Sequence, residues 1–196
     1  MSNVEVKLPY VKALNYANRF LALISNHVIK AEIAGSVRRK CKLVGDIEIV
    51  CIENLLNPFS NLFVDGFQGM VMNGERLKRF HYPQYNLKIE LYITNERDWG
   101  RILALRTGSA WYSHAKLAVT WNRLGWCGTS DGLRRKKECE KRGNVWRLKK
   151  EFADNPTLPP PFFTEEDFFE FLGLEWEPPE KRDWKDPTIE KKYSYI

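Results

Sequence analysis

Two carboxylates one residue apart, Asp46-Ile47-Glu48, follow a Gly35-Ser36 pair by nine residues. Residues 46–52 alternate polar and apolar as a strand does. Asp46, Glu48 and Val50 therefore share one face, and Ile47, Ile49 and Cys51 the other. Crowding two carboxylates on one face costs free energy unless cations lie between them. Magnesium, which prefers oxygen ligands and phosphate, suits such a pair. A third acid, Glu90, falls on the polar face of a second alternating stretch, where Lys88 and Tyr92 flank it and Leu87, Ile89, Leu91 and Ile93 form the apolar face. Three carboxylates around two magnesium ions, with manganese as a substitute, fit phosphoryl transfer. One ion lowers the pKa of an attacking hydroxyl and the other neutralises a leaving pyrophosphate. The expectation is that Asp46 and Glu48 bridge both ions and that Glu90 holds only the ion at the hydroxyl. Gly35 lets backbone approach a phosphate and Ser36 donates to it, while Arg38 and Arg39 supply forks for triphosphate oxygens.

The elements that must position these groups are legible in outline. Residues 9–30 read as a helix with Val11, Leu14, Phe20, Leu21 and Ile24 at helical spacing, and 31–34 as a strand that runs into Gly35. Residues 46–52 and 87–94 read as strands, and Asn73-Gly74 as a hairpin turn. Residues 97–124 read as two helices broken at Gly108 and ended by Gly125. Residues 126–150 read as short strands or loops, and 155–161 as a proline-rich spacer. Thr164 caps a helix at 168–172, with acids in its first turn, and a charged extended tail runs from 178. This pattern predicts an α+β fold: a small sheet with helices over 1–104 and a mixed second unit over 105–196.

Composition narrows the function classes. A hydrophobic share of 43% supports a real core and argues against disorder. No run approaches a membrane span, and the N-terminal residues do not read as a secretory signal, so a cytoplasmic protein is expected. Cys41, Cys51, Cys127 and Cys139 lack zinc-site spacing and read as reduced thiols. Net charge is +6, and the excess gathers around Arg134, Arg135, Lys136, Lys137 and Arg142, which suit the phosphates of DNA or stand as a solvated basic face. His27, His81 and His114 fit packing or surface roles, and Trp99, Trp111, Trp121 and Trp126 fit a core better than stacking platforms.

The chain resembles the family X DNA polymerases, the polymerase beta group of the nucleotidyltransferase superfamily. Ile33-Ala34-Gly35-Ser36-Val37-Arg38-Arg39 and Val44-Gly45-Asp46-Ile47-Glu48-Ile49-Val50 are similar to the family's palm motifs. Lys88-Ile89-Glu90-Leu91 resembles its third-carboxylate strand, and Thr107-Gly108-Ser109 its T-G-S turn. Residues 163–174 and 178–182 resemble the end of its last subdomain. The resemblance implies a nucleotidyltransferase palm followed by a C-terminal polymerase beta-like subdomain. It also implies a monomer that acts on primer/template DNA and deoxynucleoside triphosphate.

By position, Asp46, Glu48 and Glu90 would be the catalytic metal ligands. Ser36 and Arg39 would meet the β and γ phosphates, with Gly35 and Gly45 beside them. Arg106, Thr107, Gly108 and Ser109 would form the nucleotide turn, and Ser113 would face the base. Two departures stand out: glutamate at 48 and 90 where relatives commonly have aspartate, and Leu105-Arg106 where an aromatic often blocks the ribose 2′-hydroxyl. The span before Gly35 leaves no room for the family's lyase and hairpin modules, so no lyase activity is expected. Three readings stay open: templated short-gap filling in repair, untemplated or non-DNA nucleotidyl transfer, and a catalytically weak nucleic-acid-binding module.

Overall fold

Strands that alternate can bury one face against a helix and leave the other for chemistry, and the two acidic strands do this at the centre of one sheet. The computed structural model describes residues 7–64, 69–82 and 87–184. Its first half comprises β1 (Leu8–Pro9), α1 (Tyr10–Ile24), β2 (Val28–Ile33), α2 (Gly35–Arg38), β3 (Leu43–Val44), β4 (Asp46–Glu53), α3 (Phe59–Val64), β5 (Met70–Asn73), β6 (Leu77–Tyr82) and β7 (Leu87–Thr94). Its second half comprises α4 (Trp99–Thr107), a π-helical stretch (Tyr112–Ala118) that continues as α5 (Val119–Arg123), β8 (Trp126–Thr129), β9 (Gly132–Arg135), β10 (Cys139–Arg142), β11 (Val145–Leu148) and α6 (Glu165–Phe171). The fold is mixed α+β.

The first sheet has the order β2-β4-β7-β6-β5, with β4 and β7 parallel and the other neighbours antiparallel. Ile47, Ile49 and Cys51 of β4, Ile89 and Leu91 of β7, and Phe80 of β6 are buried in the same core as Ala13, Ala17, Phe20 and Ile24 of α1. Each fully buried aliphatic side chain there contributes roughly 1.5–3 kcal/mol. On the opposite face Val50, Ile52 and Tyr92 cluster with Trp99 and Leu103 of α4. That face also carries the acids.

Helix α1 stops at Ile24, six residues short of the expected end. Ser25–His27 tighten into a 3-10 turn whose His27 ring contacts the carbonyl oxygens of Asn57 and Pro58. The β-branched Val28 and Ile29 then start β2, and β2 pairs with β4. Val11, expected on the buried face, is 76% exposed.

Residues 126–150 form a four-stranded sheet of order β10-β11-β8-β9 rather than loops. Its core joins Trp121, Trp126 and Leu133 to Phe162, Phe168 and Phe169. Helix α4 belongs to both cores, through Trp99 and Leu103 on one side and Ala104 on the other, so the expected division at 104/105 falls within a helix. Gly100 allows α4 to touch the start of α6: its N–H donates to the Phe162 carbonyl at 2.7 Å, and a Cβ there would lie 1.7 Å from the Thr164 carbonyl oxygen. Thr164 caps α6 reciprocally with Asp167, and the helix begins at Glu165, three residues before the expected start.

The stretch after 178 is not simply extended. Pro179–Lys181 makes a 3-10 turn and Arg182 is fully buried. The rest of the expected tail, 185–196, lies outside the described residues. Among the described residues no helix is long and apolar enough to cross a membrane.

Candidate active site

Register decides which side chains meet. In the parallel β4–β7 ladder Asp46 stands opposite Lys88 and Glu48 opposite Glu90, and in the β6–β7 ladder Arg79 stands opposite Glu90. Asp46, Glu48 and Glu90 therefore occupy one face of two adjacent strands. Helix α2 closes one side. Gly35 has φ +58°, and a Cβ on it would lie 2.1 Å from Glu48 Oε2, so this position needs glycine for its backbone and for its space. Ser36 follows, and its Oγ is buried without a hydrogen-bond partner among the described residues. Gly45 is the bend between β3 and β4, one residue before Asp46.

The three acids have different surroundings. Glu90 is buried and gripped: Arg79 Nε and Nη2 lie 2.8 and 2.7 Å from its Oε1, and the Tyr92 hydroxyl donates to its Oε2. Burial alone would raise its pKa, but the bonds and charges of Tyr92, Lys88 and Arg79 outweigh that and hold it below the usual range. Lys88 Nζ sits 2.8 Å from Asp46 Oδ2 and 3.5 Å from Glu90 Oε1. Glu48 takes no such bond among the described residues. Burial first, then the neighbouring charge of Asp46, raises its pKa to about 7. Glu90 adds to the rise, and Arg106 and Arg39 oppose it.

Among the described residues no group of three His, Cys, Asp or Glu closes on a common point. The reason is local: Lys88 lies between Asp46 and Glu90, and Arg79 with Tyr92 turns Glu90 to themselves.

Glu48 makes stability depend on pH. Its folded pKa of about 7 exceeds the ordinary 4.5, so the folded protein holds the proton more tightly. Stability is greatest below the ordinary value and falls as pH rises from about 4.5 to 7, by something on the order of 3 kcal/mol. In chelator, Glu48→Gln is expected to remove this slope and to melt higher than wild type at pH 8. Melting curves from pH 5 to 8 check both outcomes, and a slope that persists in the variant disproves the assignment.

The T-G-S turn is held by the arginines expected at the triphosphate. Arg38 Nη1 donates to Thr107 Oγ1 at 2.7 Å and, with Nη2, forks onto Glu165 at 2.8 and 3.0 Å. Arg39 Nη1 donates to the Thr107 carbonyl at 2.8 Å, and its Nε faces Asp183 at 3.3 Å. Both guanidinium groups thus brace the turn, Arg38 with its fork closed on Glu165 and Arg39 through Nη1, its Nε making no hydrogen bond among the described residues. Ser109 Oγ donates to the Trp184 carbonyl, and Ser109 N–H to that of Arg182. Ser113 Oγ donates to the Leu105 carbonyl at 2.7 Å and lies against Gly108, so its hydroxyl is engaged by the chain itself. Arg106 stays beside the acids: its guanidinium carbon is 3.8 Å above the Tyr92 ring centre, and its charge lowers the Glu48 pKa.

Beyond Tyr92 and Arg106 opens a cleft of about 700 Å³ between the end of β7, α4 and the β8–β9 turn. Arg76, Arg97, Arg101, Arg106 and Arg134 line it, with Pro159 and Pro160. Arg76 pairs with Asp131 and Arg101 with Asp98. Of the five basic residues expected to hold DNA, Arg134 alone lines this cleft. Arg135 stacks on Trp126, Lys136 bonds Asn122, Lys137 is exposed, and Arg142 pairs with Glu140. The cleft draws its arginines from four separate elements, so charge density along the sequence does not reveal it.

Lys88 and Arg79 also escaped the sequence reading as site residues. Their signal was alternation: Lys88 shares the Glu90 face, and Arg79 neighbours the inward Phe80. No family model matches the chain, and no curated protein matches it.

Proposed function

We propose that the chain is a nucleotidyltransferase of the polymerase beta type, which moves a nucleotide from a deoxynucleoside triphosphate to a DNA primer 3′-hydroxyl and serves short-gap filling in repair. What supports this most is the convergence of Asp46, Glu48 and Glu90 on one sheet face, with the Gly35–Ser36 backbone against Glu48. Asp46 and Glu48 suit magnesium: both offer oxygen donors, and burial with the charge of Asp46 raises the Glu48 pKa, a cost that a bound cation would relieve. Magnesium held there would neutralise phosphate oxygens and make a hydroxyl easier to ionise.

The chain's own groups do the rest. The Ser36 hydroxyl, without a hydrogen-bond partner among the described residues, can donate to a phosphate oxygen. Gly35 keeps the approach to Glu48 open. Arg38 and Arg39 fix the Thr107 turn relative to the acids, so the two subdomains present one surface to the nucleotide. The arginine-lined cleft beside Tyr92 and Arg106 gives a DNA strand a place next to the acids.

Primer extension on gapped, recessed and single-stranded DNA with magnesium or manganese tests the reading. Templated products on gapped DNA are expected. Untemplated tails would assign a terminal transferase, and silence on every acceptor with DNA binding intact would assign a binding module. The cleft makes its own prediction. The double change Arg97→Ala, Arg134→Ala is expected to weaken DNA binding about tenfold and to flatten the slope of log affinity against log salt by roughly 1–2. Arg142→Ala, outside the cleft and paired with Glu140, leaves both unchanged. Fluorescence anisotropy across a salt series checks this.

A further inference from the structure

Glu90 is largely engaged by the chain itself: three N–H groups crowd its Oε1 and the Tyr92 hydroxyl donates to its Oε2. A carboxylate offers about four acceptor sites. Arg79 approaches with two N–H groups, Tyr92 with its hydroxyl and Lys88 with its ammonium at 3.5 Å. The same ammonium is 2.8 Å from Asp46, so it bridges the two carboxylates across the β4–β7 ladder. Register fixes it there, because Lys88 is paired directly with Asp46.

Resting on the nucleotidyltransferase reading, we infer that Lys88 is a tethered cation standing where a second divalent ion would sit, so that the Asp46–Glu48 pair loads a single ion. Glu90 is then a positioning residue, which acts by holding Lys88 toward Asp46. The Lys88 side chain is 38% exposed, which leaves room for a neutral side chain without disturbing the core.

Manganese alone, titrated into the full chain and read by electron paramagnetic resonance, tests this. Wild type is expected to bind one magnetically isolated ion that Asp46→Ala loses. Lys88→Met is expected to bind two ions with the coupled spectrum of a pair about 3.5–4 Å apart. Its transfer rate then depends sigmoidally on manganese where that of wild type is hyperbolic. Lys88→Arg keeps the charge and retains one ion, and Lys88→Gln repeats the neutral result should the methionine variant fold poorly. A coupled pair in wild type overturns the tethered cation while sparing the metal site. A single isolated ion in both neutral variants also overturns it. Manganese binding that survives Asp46→Ala, or none at all in wild type, sinks the carboxylate site and the inference with it.

Discussion

Replacing Asp46 by alanine is expected to cut nucleotidyl transfer at least about a thousandfold and to leave the fold intact. The size follows from the site. On the proposed reading Asp46 and Glu48 hold the cation, and losing one of two such ligands would remove several kcal/mol of transition-state stabilisation, at about 1.4 kcal/mol per factor of ten. Survival of the fold follows from the surroundings. The Asp46 side chain is 29% exposed, and its ion-pair partner Lys88 is 38% exposed. Pairs of that kind contribute at most about 1 kcal/mol. The change also removes a negative charge that destabilises ionised Glu48, so the variant is expected to melt at or slightly above wild type at pH 8. Single-turnover extension beside a thermal melt checks both halves. Transfer within tenfold of wild type by a protein that melts normally would remove Asp46 from the chemistry.

The acidic face was readable because its signal is local. Alternation in 46–52 and 87–94 put Asp46, Glu48, Lys88, Glu90 and Tyr92 on their faces, and the ladders place them there. Asn73-Gly74 marked the β5–β6 turn, and Gly108 and Gly125 marked the helix ends. What could not be read depends on pairing at a distance. Nothing near His27 says that its ring meets the carbonyls of Asn57 and Pro58 thirty residues on, and that contact belongs with the turn that stops α1 short. Nothing near Arg38 says that its partner is Glu165, so it was read as a phosphate ligand. The arginine-lined cleft was hidden in the same way: Arg135 and Lys136 of the basic run are engaged by Trp126 and Asn122, while Arg97 and Arg76, isolated in the sequence, line the cleft. Local periodicity places a side chain on a face. Only the tertiary ladder says what stands opposite.

Glu165→Ala is expected to lower stability by about 3–5 kcal/mol, because it strands two arginines on a buried face. Glu165 is 5% exposed, and Arg182, whose guanidinium forks onto it, is fully enclosed. Arg38 forks onto the same carboxylate from the other subdomain and also reaches Thr107 and Glu32. Burial alone would raise the Glu165 pKa, but the two arginines outweigh it and hold the carboxyl below the usual range. The sign of its pH dependence is opposite to that of Glu48. A depressed pKa gives stability that is present above the ordinary carboxylate value and is lost as pH falls through the folded one, so the cluster feeds acid unfolding. For a chain of this length the alanine variant should melt on the order of 10 °C lower near pH 7. Glu165→Gln should fall less, since its amide oxygen keeps one acceptor for the guanidinium groups, and its acid sensitivity should flatten. Adding Arg182→Met to Glu165→Leu should recover part of the loss by removing the stranded charge. Because Arg38 ties this cluster to Thr107, the alanine variant should also loosen the turn beside the acids, with a weaker KM for nucleotide in the molecules that stay folded. Denaturant titrations and steady-state kinetics on the same preparations separate the two effects. A Glu165→Ala protein as stable as wild type would show that the subdomains are joined by packing around α4 rather than by this ion cluster.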